Sequence, residues 1–167
     1  FVVPASNFLV NYRYDGNGGE TNISDFVSGY KKIEQENPLD GDYIDSGLPK
    51  PSYDIWEQDR GINTYTNATV YAGLLAAANL AKHNGHEDEE KKYNKAAEEI
   101  KSATVKHLFD NHLDRFVTRI YCDPIQMACV RDTTTDAALV SLWSFDMFSV
   151  NDPMVTSTMR DIEEKLW

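Results

Sequence analysis

The segment from Pro51 to Gly61 combines the residue types that general acid catalysis requires. At its centre, the carboxylate of Glu57 directly follows the indole of Trp56. An indole wall disfavours the charged form of a neighbouring carboxylate, so that the acid keeps a proton to donate. A glycosidic oxygen is a poor leaving group that needs such a proton. The segment therefore makes Glu57 a candidate general acid.

The neighbours of this pair suit a carbohydrate ligand. Aromatic rings such as those of Tyr53 and Trp56 can stack on the apolar faces of sugars. Polar side chains at Asp54, Gln58 and Arg60 can form hydrogen bonds with hydroxyl groups. These residue types predict a sugar pocket around the acid.

A purely structural interpretation of the same residues stays open. In that alternative, Trp56 anchors the hydrophobic core and Glu57 pairs with Arg60 on the surface. Spacing alone favours this alternative, because adjacent Trp and Glu residues are common.

The composition narrows the classes of partner. The chain has 167 residues, of which 41% are hydrophobic, which suffices for one globular domain with a core. Its formal net charge is −11 and its pI is about 4.7. Such an acidic surface repels phosphate backbones and anionic lipids, so we expect no nucleic acid and no membrane partner. A neutral sugar is compatible with this charge.

Local patterns predict mainly helices around the acid-bearing segment. We expect residues 1–19 to be irregular, a helix over 24–36, and a long ordered loop over 38–62 that contains Gly, Pro and aromatic residues. A helix that is apolar nearly all round should run from Tyr65 to His83, and its predicted stripe is Val70, Leu74, Ala77, Ala78 and Ala81. An outer amphipathic helix should begin at Glu87 and carry Tyr93, Ala97, Ile100, Thr104 and Leu108. Together they predict an antiparallel αα-hairpin.

The last third of the chain should form a second hairpin. Residues 114–121 alternate with period two and predict a short strand. A helix capped by Thr134 or Thr135 should continue to about Phe148, with its interior residues at Ala138, Leu139, Leu142, Trp143 and Phe145. Asp152 followed by Pro153 predicts the start of the final helix, whose expected stripe is Val155, Met159, Ile162 and Leu166.

Cofactor chemistry finds no support in the sequence. We find no glycine-rich phosphate loop, no Ser/His/Asp arrangement and no metal-spaced His pair, so we expect no cofactor and no metal. Cys122 and Cys129 are expected to be ordinary free thiols, because one pair does not make a disulfide scaffold.

The run Asp54-Ile55-Trp56-Glu57, with Gly61 and Tyr65-Thr66 after it, resembles glycoside hydrolase family 15, the family of glucoamylases and glucodextranases. The likeness extends over about residues 50–166. Further matching segments are Tyr71 to Ala81, Ala96 to Ile100, Phe109-Asp110, Arg115-Phe116, Asp136 to Leu139 and Asp152-Pro153.

The resemblance implies roles for individual residues. Glu57 would protonate the leaving oxygen, and Asp54, Ile55 (through its carbonyl), Trp56 and Gln58 would line the sugar pocket. Tyr53 and Arg60 are the further candidates for substrate binding. The implied reaction is release of glucose from the non-reducing ends of α-glucans or oligosaccharides with inversion. The family usually has a second acid after the catalytic one, and this chain has Gln58 there.

The resemblance also implies an all-α fold, in which αα-hairpins form part of an (α/α)6 barrel that is incomplete in this chain, with long loops and at most a short β segment. We interpret residues 1–167 as part of one such catalytic domain, with a loop-rich region at 1–62 that holds one helix and the acid-bearing loop, and helical hairpins at 63–167.

Several functional parts are expected outside this sequence. The catalytic base and a Trp-x-Arg-Asp sugar-binding element of the family are not found in it. A chain that opens on Phe1 is interpreted as trimmed, and we expect it to be inactive alone. The apolar inner helix should need a covering partner, either the remainder of the barrel or a second copy of the chain.

No export signal is visible in the sequence, which favours a cytoplasmic location. A non-catalytic sugar-binding or regulatory module and a helical interaction domain remain as alternatives.

Overall fold

The computed structural model describes residues 2–11, 46–123 and 128–167. The helices of these residues are α1 (Val2–Asn11), α2 (Thr64–His83), α3 (Glu87–Leu108), a 3₁₀ turn (Ala137–Val140), α4 (Ser141–Ser144) and α5 (Pro153–Leu166). The strands are β1 (Ser52–Tyr53), β2 (Arg60–Asn63), β3 (Phe109–Asp110), β4 (Arg115–Phe116), β5 (Arg119–Asp123) and β6 (Ala128–Asp132). The helix expected over 24–36 lies outside the described residues.

Helices α2 and α3 form the predicted antiparallel hairpin. All residues of both predicted stripes are buried, including Leu74 and Ile100. Gly85, with φ +75°, closes α2, and the amide of His86 donates to the carbonyl of Ala81 at 2.9 Å. This arrangement satisfies carbonyls at the end of the helix and needs a residue that tolerates a left-handed conformation.

No helix in the described ranges is long and apolar enough to cross a membrane.

The expected all-α fold is wrong, because short strands accompany the dominant helices. Strands β1, β2, β5 and β6 form a four-stranded antiparallel sheet in that order, and β3 pairs with β4. Ile62 of β2 lies opposite Ile120 of β5, which joins the acid-bearing segment to the region after α3. The strand expected over 114–121 is confirmed in part as β4 and β5. The strands therefore also interrupt the region predicted as helical hairpins.

The chain start is helical where we expected irregular structure. Helix α1 packs its apolar side on the α2–α3 hairpin, with Val10 buried and Leu9 against the same core. The Nζ of Lys92 donates to Oδ1 of Asn7 at 2.7 Å. Pro4 is tolerated because it lies in the first turn, where an amide has no intrahelical partner.

The helix expected from Thr134 or Thr135 to Phe148 is replaced by the 3₁₀ turn and the four-residue α4. Asp136 is the capping residue, since its side chain accepts from the amide of Ala138. Asp146 has φ +56° and ends the helical region, so that the amide of Phe148 reaches the carbonyl of Leu142 at 2.9 Å.

This early helix end changes which side chains are buried. Met147 and Phe148 enter the core, whereas Trp143, predicted to be inside, is 39% exposed. Leu139 and Leu142 are buried as expected, while Ala138 and Phe145 are only partly buried.

Helix α5 begins as the sequence predicts. Oδ1 of Asp152 accepts from the amide of Met154 at 2.9 Å, and Pro153 occupies the first helical position. Val155 is buried, Met159 and Ile162 pack partly buried against the core, and Leu166 is 52% exposed. The predicted stripe is therefore confirmed for its first part only.

The expectation of two free thiols is wrong. Cys129 is disulfide-bonded, and Cys122 is the only other cysteine of the chain. The two residues lie directly opposite in the register of β5 and β6. Strand pairing brings them together, and two cysteines spaced seven residues apart give no such signal in the sequence.

Gly61 of β2 lies close against the backbone of β5. A Cβ built on Gly61 would lie 2.7 Å from the carbonyl oxygen of Ile120. We expect Gly61→Ala to lower the free energy of unfolding by about 1–3 kcal/mol, because the backbone must shift. The matched control is Gly73→Ala in α2, whose Cβ would meet only Leu9 Cδ1 at 3.4 Å. It should be neutral or stabilising by up to about 1 kcal/mol in urea unfolding. Equal midpoints for the two variants would contradict the close approach.

Candidate functional site

The candidate acid lies at the tip of the β1–β2 hairpin. Ser52 pairs with Gly61 and Tyr53 pairs with Arg60, which leaves residues 54–59 as the connecting loop. Glu57 is an exposed residue of this loop. The segment expected to be an irregular loop is therefore a hairpin where the structure describes it, and β2 leads directly into α2.

Asp54 organises the backbone of this loop. Its Oδ1 accepts from the amide of Trp56 at 2.9 Å and from the amide of Gln58 at 3.4 Å. The backbone amide of Glu57 donates to the carbonyl of Asp54 at 3.2 Å, and the amide of Asp54 donates to the carbonyl of Asp59 at 3.3 Å. Asp side chains commonly bond to amides two residues ahead in this way. The carboxylate predicted to bind substrate thus also shapes the turn.

Glu57 itself has a left-handed backbone, with φ +55°. This conformation is uncommon for residues other than Gly, Asn and Asp. The hydrogen bonds of the loop hold the backbone of the residue there, and its side chain is exposed.

Polar contacts fix the hairpin to the start of α2. The Nδ2 of Asn63 donates to the carbonyl of Ser52 at 2.8 Å, and Ser52 Oγ lies 3.1 Å from Thr66 Oγ1. The Oγ1 of Thr64 donates to the carbonyl of Val117 at 2.6 Å. Asn63, Thr64 and Val117 are buried, so the base of the hairpin is rigidly held while its tip faces solvent.

The indole beside the acid is held by a carboxylate that lies far away in the sequence. The Nε1 of Trp56 donates to Oδ1 and Oδ2 of Asp136, at 3.2 and 3.1 Å. Trp56 is 54% exposed, which overturns the interpretation of this residue as a core anchor. Tyr53 at 59% and Ile55 at 45% are also exposed, and Gln58 is exposed beside them. The hairpin tip thus presents apolar and polar groups that a ligand can cover.

A polar cleft of about 460 Å³ adjoins this hairpin. It is lined by Asp59, Arg60, Arg119, Tyr121, Arg131, Asp132 and Thr133. Arg119 bridges the two sides, with NH1 at 2.9 Å from Asp59 Oδ2 and NH2 at 2.9 Å from Asp132 Oδ2. Its guanidinium also lies 5.7 Å from the ring centre of Tyr121. Arg60, predicted to bind sugar hydroxyls, is half-buried and lines this cleft, whereas Glu57 does not.

The sequence interpretation missed two contributors to this site. Asp136 was noted only within a segment that resembles the family, and Arg119 only as part of a predicted strand. Both act through pairing between distant segments, and no local pattern marks such contacts. Within the described ranges, no group of three or more His, Cys, Asp or Glu side chains is placed to hold a metal ion.

Comparisons with known proteins agree on one family. The family model described as glycosyl hydrolases family 15 matches residues 4–166. An uncharacterised glycosyl hydrolase of Methanocaldococcus jannaschii is 29% identical over 115 residues, which cover 68% of this chain and 17% of that protein. Trehalase 2 of Sulfolobus acidocaldarius is 31% identical over 129 residues, which cover 75% of this chain and 20% of that protein. The chain thus spans at most about a fifth of either relative, and no solved structure matches it.

Proposed function

Because the chain belongs to glycosyl hydrolases family 15, we propose that the protein carrying it releases glucose from the non-reducing ends of α-glucans or oligosaccharides with inversion. Glu57 acts as the general acid, and the catalytic base lies outside this chain. The observation that carries the proposal is the hairpin tip, which presents Glu57 next to the exposed indole of Trp56.

The geometry of the hairpin supports a role in protonating a leaving group. The Glu57 carboxylate is exposed at the tip, so it is accessible to a bound sugar. A general acid must come within about 2.6–3.2 Å of the oxygen that it protonates. Substrate covering the exposed rings of Tyr53 and Trp56 would exclude water from the region around the carboxylate.

The other predicted contacts have distinct parts in this proposal. The carbonyl of Ile55 and the side chain of Gln58 contact the hydroxyls of the sugar next to the acid. Arg60 lines the adjoining cleft, where it faces the leaving portion of a longer substrate. Asp54 contributes mainly by shaping the turn. The base activates a water on the opposite face of the ring, about 6.5–9.5 Å from the acid in inverting enzymes.

The partner of this chain is part of the same proposal. An acid without a base cannot complete an inverting reaction, so additional segments of the protein, or a second copy of the chain, contribute the base and further sugar contacts. We therefore expect the isolated 167-residue chain to show no turnover.

A non-catalytic carbohydrate-binding or regulatory module is the second candidate. One observation favours it, since Gln58 provides an uncharged amide directly after Glu57. An amide retains hydrogen bonding to a sugar hydroxyl but has no carboxylate charge. This candidate predicts sugar binding that proceeds without hydrolysis.

The stereochemistry of the product tests the proposal. Maltotriose is incubated with the complete protein, and the anomeric protons of released glucose are followed by NMR before mutarotation. Inversion at an α-linkage yields β-glucose first. Isomaltose and trehalose in parallel define the linkage, and the isolated chain serves as the inactive control. Early α-glucose would refute inversion, and sugar binding without glucose from any of these substrates would favour the non-catalytic module.

A further inference from the structure

We propose that Asp136 is a positioning residue that holds the indole of Trp56 and thereby orients the Glu57 carboxylate. The catalytic part of this inference rests on the proposed function, whereas the contact between the two side chains can be tested without it. Asp136 and Trp56 are 80 residues apart in the sequence.

The hydrogen bond is the main feature that fixes the indole. Trp56 is 54% exposed, so packing covers less than half of its surface. Its Nε1 lies 3.2 and 3.1 Å from the two oxygens of Asp136. A hydrogen bond to an ionised carboxylate is about twice as strong as one between neutral groups. Loss of this acceptor would therefore free the indole to adopt other rotamers.

Asp136 is itself held from several directions. Its Oδ1 accepts from the amide of Ala138 at 2.8 Å, which caps the 3₁₀ turn. The three preceding residues are each anchored to neighbouring elements. Their contacts are the Thr133 carbonyl with Arg115 NH2, the Thr134 carbonyl with Thr118 Oγ1 at 2.6 Å, and Thr135 Oγ1 with Asp161 Oδ2 at 2.6 Å. These contacts hold the carboxylate of Asp136 in place beside the tip of the hairpin.

Because Trp56 and Glu57 are adjacent in the sequence, fixing the indole also affects the position of the acid. Trp56 precedes Glu57, and their shared peptide plane couples the position of the indole to the direction of the acid. Both oxygens of Asp136 already accept hydrogen bonds, which suits a positioning role and not proton transfer. A catalytic group displaced by about 1 Å can lose about 10²-fold in rate.

The first test compares Asp136→Ala with Asp152→Ala in the complete protein. Asp152 also accepts from the amide two residues ahead, that of Met154 at 2.9 Å, and has no hydrogen bond to an indole among the described residues. Both variants lose a cap, so their thermal midpoints should fall by a similar amount. Only Asp136→Ala should lower kcat on maltotriose, by about 10²-fold with a smaller change in KM. Asp136→Asn keeps an acceptor oxygen and should recover part of the rate.

A double-mutant cycle separates this role from simple destabilisation. Trp56→Phe removes the N–H donor, so combining it with Asp136→Ala should lower kcat by much less than the product of the two single losses. Losses that multiply, or a kcat for Asp136→Ala equal to that of Asp152→Ala, would overturn the proposal.

A spectroscopic readout tests the contact independently of turnover. The indole N–H resonance of Trp56, assigned by its loss in Trp56→Phe, should shift in Asp136→Asn and stay in place in Asp152→Ala. If the protein is active and the indole resonance is the same in Asp136→Asn as in the wild type, the hydrogen bond between Trp56 and Asp136 is refuted, and the positioning role with it. A wild type that hydrolyses no glucoside would overturn the proposed function and with it the orienting role, while the resonance still decides the contact.

Discussion

Glu57→Gln in the complete protein should lower kcat on maltotriose by about 10²–10⁴-fold, the contribution expected of a general acid. The amide keeps the size of the side chain and removes the proton that the leaving oxygen requires. KM should change little, because the substituted group still forms hydrogen bonds. Steady-state glucose release measures both constants.

The dependence on the leaving group makes this prediction specific. A 4-nitrophenyl α-glucoside departs as a stabilised phenolate and needs little protonation, so its hydrolysis should fall far less in Glu57→Gln. The matched control is Glu163→Gln, which removes an exposed carboxylate from α5 and should leave both rates unchanged. Equal losses on the two substrates, or none on maltotriose, would show that Glu57 is not the acid.

The second large effect is on stability, through the buried Arg115. Its side chain is 2% exposed. NH1 donates to the carbonyl of Phe116 at 3.0 Å, and NH2 donates to the carbonyl of Thr133. The Nε lies 3.1 Å from Asp161 Oδ2 without being aligned as a hydrogen-bond donor, so this contact is an ion pair. We expect Arg115→Met to lower the free energy of unfolding by about 3–5 kcal/mol, because it leaves buried partners unsatisfied.

The pH dependence of unfolding provides a second test of the Arg115 prediction. Burial alone would raise the pKa of Asp161, but hydrogen bonds from Lys165 and Thr135 and the charge of Arg115 outweigh it and lower the pKa below 3.8. A lowered carboxyl pKa stabilises the fold above the ordinary value, and the stabilisation is lost as the pH falls through the lowered pKa. The stability difference between wild type and Arg115→Met should therefore narrow below about pH 4.

Arg160→Met is the matched control, since Arg160 lies on the same helix as Asp161 and is exposed. Its unfolding in urea should match that of the wild type within about 0.5 kcal/mol. Similar losses for Arg115→Met and Arg160→Met, or a difference from wild type that persists unchanged into acid, would contradict the proposed role of the buried pair.

The elements that the sequence predicted well are those with strong local determinants. Helix α3 combines acids in its first turn with one apolar stripe, and α2 ends at Gly85, which suits the left-handed closing position. Helix α5 has a capping Asp152 followed by proline. Each signal lies within a few residues of the element that it defines, so no tertiary information was needed.

Strands β1 and β2 were missed because their determinants are not local. Strand β1 has two residues and β2 has four, which is too short for a period-two pattern to stand out. Gly61 and Asn63 are also poor strand formers. Antiparallel pairing with β5, in which Ile62 lies opposite Ile120, a residue 58 positions later in the chain, supplies the hydrogen bonds instead.

The candidate site also combines features that the local sequence indicates with features that depend on tertiary contacts. Residue types marked Trp56 and Glu57 as candidates, and the resemblance to the family favoured the catalytic interpretation. The hairpin that presents them, the left-handed backbone and the contact with Asp136 depend on segments that meet only in the folded chain. Spacing favoured a buried Trp56, and only the fold shows that its ring faces solvent.

The backbone of Glu57, at φ +55°, has a consequence for how this position evolves. Selection for folding alone would place glycine there, because glycine adopts a left-handed conformation without the cost of about 1 kcal/mol that a side chain imposes. A glutamate at this position therefore carries a backbone cost that glycine would not. If Glu57 is the general acid proposed above, homologues should keep an acid at this position in spite of that cost, whereas a position without a role should show glycine or asparagine.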